Sequence, residues 1–202
     1  MIIAGLTGSI AMGKSTVASM FAEFGVPTFD ADDAVRAFYA ADGAEAVEAV
    51  FPGVTVSGQV DRERLGSQVL GDLEALKRLE GLVHPAVAQA RAHFVERAAD
   101  AGRRLVIVDV PLLFETGGEA RVDLVIVVSA PASIQRARAL ARTGMTEDKL
   151  EAILSRQTSD ADKRRRAHFV IDTGGSLEMT RAIVAQFMRS TAAMAGGRTP
   201  HA

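Results

Sequence analysis

A chain of 202 residues with 48% hydrophobic content can bury one sizeable core with an insertion, but not two comfortable independent domains. A formal net charge of −2 gives no electrostatic basis for nucleic-acid or membrane-surface binding, and the lack of cysteine removes disulfides and thiolate chemistry. No apolar run approaches a membrane span, and a strand rather than a basic leader is expected at Met1, so a cytoplasmic protein without a membrane partner is expected.

In chain order, Met1 to Thr7 is a short apolar run of the kind found in buried parallel strands. The next eight residues, Gly8-Ser9-Ile10-Ala11-Met12-Gly13-Lys14-Ser15, match the phosphate-binding pattern G-x-x-x-x-G-K-[ST] at every fixed position. Val17, Met20, Phe21 and Phe24 then recur at helical spacing, so a helix is expected from about Lys14. Strand, glycine loop and helix together suit an anion. Gly8 and Gly13 allow angles and approaches that a Cβ would block, and the N–H groups from Ala11 and Met12 through Thr16 can turn inward at a helix N-terminus. In such a loop Lys14 would meet the β- and γ-phosphates of a nucleotide, and the Ser15 hydroxyl would ligate Mg²⁺.

Gly25 reads as the end of the first helix, and Val26 to Phe29 as a second strand. Asp30, Asp32 and Asp33 follow where a strand end meets a helix over Ala34 to Ala41. Two readings stand: N-capping of that helix, or a ligand-facing acid beyond the carboxyl ends of an open sheet. Residues 42–102 carry two or three helical patterns and no strong strand, beyond a turn segment at Val54 to Val56, and read as a helical insertion. Within it Arg62 is either solvated surface or a ligand contact, and His84-Pro85 is either structural or lines a pocket.

Leu105 to Val110 resumes the core as an apolar strand stopped by Pro111. Asp109 near its end is either bonded to a neighbouring loop or orients Mg²⁺. Leu112 to Glu115 enters a loop, Asp123 to Val128 is a fourth strand, and Pro131 suits the start of a helix carrying Arg136, Arg138 and Arg142. Arg138 and Arg142 lie four apart, on one helical face, and are expected to reach the nucleotide phosphates; the bland alternative pairs them with Glu147 or Asp148. Gly144 interrupts, and Thr146-Glu147-Asp148 starts another helix. Lys163-Arg164-Arg165-Arg166 is either a solvated face or part of a lid over polyphosphate. Ala167 to Ile171 is the fifth strand, Ser176 caps a last helix to about Arg189, and the tail beyond about 196 is expected to fray.

Five strands alternating with helices predict an α/β fold with a five-stranded parallel sheet between helical layers. The chain has no asparagine, which excludes the N-K-x-D guanine signature of GTPases. The small size, the helical insertion and the arginine-bearing segment before the last strand suggest a phosphoryl-transfer kinase, which must exclude water from its reaction. A kinase for another small hydroxylated substrate and a nucleotide-dependent switch are the competing readings.

Over nearly its whole length the chain resembles the dephospho-CoA kinase family. The marks are Leu6 to Ala18, Asp30-Ala31-Asp32, Val60-Asp61-Arg62, Leu79-Glu80 with His84-Pro85, Val110-Pro111-Leu112-Leu113-Phe114-Glu115, then Gln135, Arg138, Arg142 and Gln157. The family loop often reads G-G-I-G-S-G-K-S where Ser9, Ala11 and Met12 stand here. Ala167-His168 and Thr173 replace its A-D and later asparagine. The resemblance implies a P-loop NTPase core of three α/β/α layers, at 1–41, 103–142 and 167–195. It further implies a CoA-binding insertion at 42–102, a lid at 143–166 and a frayed tail at 196–202. The implied reaction is transfer of the ATP γ-phosphoryl group to the ribose 3′-hydroxyl of dephospho-CoA. Asp32 would act as general base, Lys14, Arg138 and Arg142 as catalytic cations, and Ser15 and Asp109 as Mg²⁺ ligands. Asp32, Arg62, His84, Leu113 and Glu115 would hold the acceptor. A monomer with no nucleic-acid partner is expected.

Overall fold

A computed structural model describes residues 1–41 and 43–196, with side chains as far as residue 191; most of the tail expected to fray, 197–202, lies outside the described residues. The chain divides into two compact units, one formed by residues 1–29 and 98–202, the other by 30–97.

The first unit is built on a five-stranded parallel sheet in the order β2-β5-β1-β6-β7. Its strands are β1 (Ile2–Thr7), β2 (Thr28–Asp30), β5 (Leu105–Asp109), β6 (Leu124–Ser129) and β7 (Phe169–Asp172). All five residues of β5 are buried, as are the last five of β6, which is why these runs are apolar up to their final residues, Asp109 and Ser129, instead of alternating. In register, Leu6 of β1 stands beside Asp109 of β5 and Ile126 of β6. Strand order reverses at β1, so the crevice at its carboxyl end is the topological switch point where ligands bind in open α/β sheets.

One face of the sheet is covered by α1 (Lys14–Glu23) and α9 (Leu177–Gly196). Val17 and Phe21 of α1 meet Val184 and Phe187 of α9 over Leu6, Ile107, Ile126 and Ile171. The Phe21 and Phe187 rings stand edge to face, centroids 5.6 Å apart. Phe21 is wholly buried, which contributes on the order of 3 kcal/mol through its apolar area alone. Against Val125 and Val127 pack Leu113 and Phe114 from the segment after β5, with Ala167 partly buried there. The helices α6 (Ala132–Leu140), α7 (Glu147–Leu154) and α8 (Asp160–Arg166) lie between β6 and β7 in sequence.

The second unit holds α2 (Ala31–Ala40), α3 (Gly43–Val50), a short antiparallel pair β3 (Thr55–Val56) and β4 (Gln59–Val60), α4 (Arg62–Val69) and most of α5 (Leu73–Asp100). Val47, Phe51, Val54, Leu65 and Leu79 form its core. The turn segment expected at 54–56 is thus one arm of a hairpin. Among the helical patterns expected over 42–102, the last and longest helix, α5, runs unbroken through Pro85. Proline there forfeits a helical donor, but Leu79 and Val83 before it and Val87 after it all pack into one cluster, and that packing keeps the helix whole. α2 begins at Ala31, earlier than the expected Ala34, because Asp30 caps it: its Oδ1 accepts from the N–H groups of Asp32 (2.8 Å) and Asp33 (3.2 Å).

Candidate functional site

The glycine loop joins the end of β1 to the start of α1. A Cβ at Gly8 would stand 2.6 Å from the Val128 carbonyl oxygen, so only glycine lets the loop leave the sheet there. Gly13 takes φ +88°, in the left-handed region, and is the N-cap of α1 without a side chain to cap it. The first turn of α1 holds no acidic residue either, unlike α2, α4, α7 and α8, whose first turns are acidic and whose N-caps supply a side-chain oxygen. An uncapped helix start presents free N–H groups and the positive end of the helix dipole, which is what an anion needs. Ser15 and Thr16 are exposed in that first turn.

Lys14 and Asp109 are brought together. The Lys14 Nζ donates to Asp109 Oδ1, with the aspartate side chain 3% exposed and the lysine 17%. The buried acid holds the ammonium group at the loop in a set position. Ala11 is the other strained point, at φ +61° without being glycine. Met12 turns its side chain into the core, where its Sδ accepts from the Ala130 N–H at 3.1 Å, and so anchors the loop from beneath.

Thr173, just past β7, ties α6 to this loop. Its hydroxyl donates to the Met12 carbonyl (2.7 Å) and accepts from Arg138 Nη1 (3.1 Å), while Arg138 Nη2 donates to the Thr173 carbonyl (2.7 Å). Two bonds to one residue fix the plane of the Arg138 guanidinium. A cavity of about 270 Å³ opens beside it, lined by Ala11, Gly13, Thr16, Arg138, Arg142 and Thr173 among others. Arg142 is exposed, and no carboxylate pairs with it among the described residues; the acids Glu147 and Glu151 are taken by Arg136 instead. The alternative pairing of Arg138 and Arg142 with Glu147 or Asp148 is therefore not formed. Thr173 entered the sequence reading only as a departure from the family pattern. Nothing local marks a threonine as a hub when its partners lie 35 and 161 positions away.

The basic run takes four separate partners. Lys163 is fully buried and pairs with Glu115 at 3.0 Å, Arg164 donates to the Ser129 hydroxyl (3.0 Å), Arg165 pairs with Asp162, and Arg166 pairs with Glu119 and lies 4.2 Å over the Phe114 ring. Glu115 Oε1 also accepts from the Thr158 N–H at 2.7 Å. Burial alone would push the Glu115 carboxyl up, but the Lys163 ammonium beside it and the hydrogen bond from Thr158 outweigh that and hold the carboxyl below its ordinary range. Leu113 is 1% exposed, in the cluster with Phe114, Val125 and Val127.

Asp32, Arg62 and His84 belong to the second unit, and all three are exposed. Of the three neighbouring aspartates, Asp30 is the cap and Asp33 pairs with Arg36. No ion pair or cap among the described residues occupies the Asp32 carboxylate. Arg62, first residue of α4, acts on the Tyr39 phenol: burial pushes that phenol up, and the arginine charge offsets part of the shift.

A family model described as dephospho-CoA kinase matches residues 2–178. A dephospho-CoA kinase of Mesorhizobium japonicum is 57% identical over 184 residues, covering 91% of this chain and 93% of that one. One from Rhodopseudomonas palustris is 53% identical, covering 96% and 98%. Among solved structures, a protein of Thermus thermophilus aligns with a TM-score of 0.79 at 36% identity, covering 93% of this chain and 97% of that one. A dephospho-CoA kinase from Campylobacter jejuni aligns with a TM-score of 0.66 at 22% identity, covering 94% and 96%, and so speaks to the fold.

Proposed function

The chain belongs to the dephospho-CoA kinase family, which uses ATP to phosphorylate the ribose 3′-hydroxyl of dephospho-CoA and gives coenzyme A, and we propose how its residues divide that work. The polyphosphate is bound by the N–H groups of Gly8, Ala11 and Gly13 to Thr16, with Lys14 as the cation nearest the transferred group, while the Met12 N–H donates to the Ser9 carbonyl at 3.2 Å. The observation that carries this reading is the uncapped start of α1, joined to a lysine already oriented by a buried carboxylate. Phosphoryl transfer needs little covalent help, so positioning and charge stabilisation supply most of the rate. Arg138, its plane set by Thr173, and Arg142, which lies just past the end of α6 instead of on its face but lines the same cavity, add positive charge at the phosphates.

The Ser15 hydroxyl and the Asp109 carboxylate, whose Oδ1 also holds Lys14, would offer oxygen donors to a Mg²⁺ ion alongside phosphate oxygens and water. No group of three or more His, Cys, Asp or Glu able to hold a metal exists among the described residues, which suits a metal held mainly by its nucleotide. A Mg²⁺ ion held there would supply positive charge to offset the charge that develops on the phosphates.

Asp32 accepts the proton of the 3′-hydroxyl; its support is a carboxylate left unpaired while its two neighbours are engaged. Arg62 and His84 recognise the acceptor from the helical segment 42–102, with Leu113 and Glu115 shaping its surroundings, and the segment 143–166 serves as lid. The working unit is a cytoplasmic monomer with no nucleic-acid or membrane partner. A coupled ADP assay tests the assignment. ATP consumption should require dephospho-CoA, and the product should carry phosphate on the 3′-oxygen; equal consumption without the acceptor would refute it.

A further inference from the structure

The tip of the glycine loop is gripped from two directions by glutamines that no role has yet absorbed. The Ile10 N–H donates to Gln157 Oε1 at 3.1 Å, and the Ile10 carbonyl accepts from Gln135 Nε2 at 2.8 Å. Both backbone groups of one loop residue are thus satisfied by side chains 147 and 125 positions away. The chemistry of Ile10 fixes the orientation of each amide, because a backbone N–H needs an oxygen and a carbonyl needs an N–H. Gln135 is buried in α6, and Gln157 is half-buried in the connection between α7 and α8.

We infer that Gln135 and Gln157 are positioning residues that hold the phosphate-binding loop open in its anion-ready shape before ATP arrives. The need for such a clamp is visible one residue on. Ala11 sits at φ +61°, a strained conformation for an L-residue with a Cβ, and it persists only where the surroundings enforce it. Ile10 is pinned on one side of Ala11 by the two amides. Ala11 itself packs against Ala139 and Leu150, and Met12 on the other side is pinned by Thr173. Gln157 does not float either. The next residue, Thr158, donates its N–H to Glu115, which is held by the buried Lys163. Glu115 lies six positions past Asp109, so the same ties link the loop to the segment that follows β5.

A clamp of this kind acts by preorganisation. It lowers the ordering cost of binding polyphosphate and does not contact the reacting atoms, so its loss should raise the requirement for ATP and leave the chemical step alone. The inference rests on the loop being the ATP site. Gln157→Met and Gln135→Met keep the side-chain volume and remove the hydrogen bond. In the full-length enzyme, Gln157→Met should raise KM for ATP about five- to tenfold, the loss of one backbone hydrogen bond. KM for dephospho-CoA and kcat should stay within about twofold. Amide exchange at Ile10 should quicken about tenfold in the free protein. Gln135→Met should do the same to KM; because Gln135 is buried, Gln157→Met decides the matter if the Gln135 variant folds poorly. An unchanged KM for ATP in Gln157→Met overturns the inference, and so does a parallel rise in both KM values with a fall in Tm, which would make the glutamines merely structural. A Lys14→Ala control keeps the two questions apart. If that enzyme turns over normally, the loop is not the ATP site and the reading beneath the inference fails, whatever Ile10 exchange reports.

Discussion

In the unit that carries the glycine loop, side chains join residues 147 and 161 positions apart, Gln157 to Ile10 and Thr173 to Met12. In the unit over 30–97 they join near neighbours. Glu48 accepts from Gly53 and Thr55, Asp61 caps its own helix, and Gln68 reaches back 16 positions to the Pro52 carbonyl. The first kind of tie closes long loops of chain and is worth its entropic cost only when many form together, which makes the glycine-loop unit cooperative and stiff. The second kind forms and breaks locally. On the proposed assignment the polyphosphate would meet a preformed surface, whereas the unit over 30–97 is expected to open at lower cost.

The largest effects should come from removing a single charge on either side of that contrast. Asp32→Asn should lower kcat by roughly 10²- to 10⁴-fold with KM for ATP near normal. Because Asp30 is the cap, the substitution should leave Tm nearly unchanged. Wild-type turnover by Asp32→Asn would end the base assignment. Lys14→Ala should cost on the order of 10²-fold or more in kcat by single-turnover kinetics. Near-normal activity there would show that the stiffness of the glycine-loop unit serves something other than phosphate.

Lys163→Met probes the stiffness itself. Removing one partner of a buried pair strands the other charge, at a cost of about 3 kcal/mol, or a fall in Tm of roughly 6 to 12 °C. A change under about 1 °C would mean that water reaches Glu115 freely. The same pair sets an acid limit. The Glu115 carboxyl is depressed in the folded state, so its contribution is fully present above the unfolded value of about 4.3 and is lost as pH falls through the lower folded value. Thermal melts below about pH 5 should therefore fall more steeply for the wild type than for Glu115→Gln. Parallel slopes would remove Glu115 from the acid response.

Much of this was legible from the chain alone, and the reasons differ by element. Leu105 to Asp109 reads as a strand because burial on both faces leaves it no polar alternation. Thr146 and Ser176 read as helix starts because capping is a local act, and the structure has each side chain accept an N–H three residues on. Partners distant in sequence were not legible. A run of four cations carries no sign that Lys163 faces inward toward Glu115, 48 positions earlier. Nor does Pro85 announce that apolar packing on both sides will carry one helix through it. The three aspartates after β2 show both limits. Their position announces a cap, but only the geometry decides that Asp30 provides it and leaves Asp32 unengaged.

The smallest expected effect tests the contrast most directly. Asp61 closes the hairpin of β3 and β4 onto α4: its N–H donates to the Val54 carbonyl at 2.8 Å, and its Oδ1 accepts from the Glu63 and Arg64 N–H groups at 3.0 and 3.1 Å. Alanine at this position removes the cap and should cost about 1 kcal/mol, whereas asparagine caps about as well and should cost only a few tenths. If the unit over 30–97 opens by itself, that loss appears only in its own amides. Exchange in α3, α4 and the hairpin should quicken about fivefold in Asp61→Ala, with β1, β5 and β6 unchanged. If the two units open only together, every slow amide in the protein quickens by the same factor and the difference between them is one of construction, not of stability. Asp61→Asn discriminates further, because any effect it shares with Asp61→Ala must come from charge, acting on Arg64 at 3.8 Å, and not from the cap. A uniform response in Asp61→Ala would refute the expectation that the unit over 30–97 opens first.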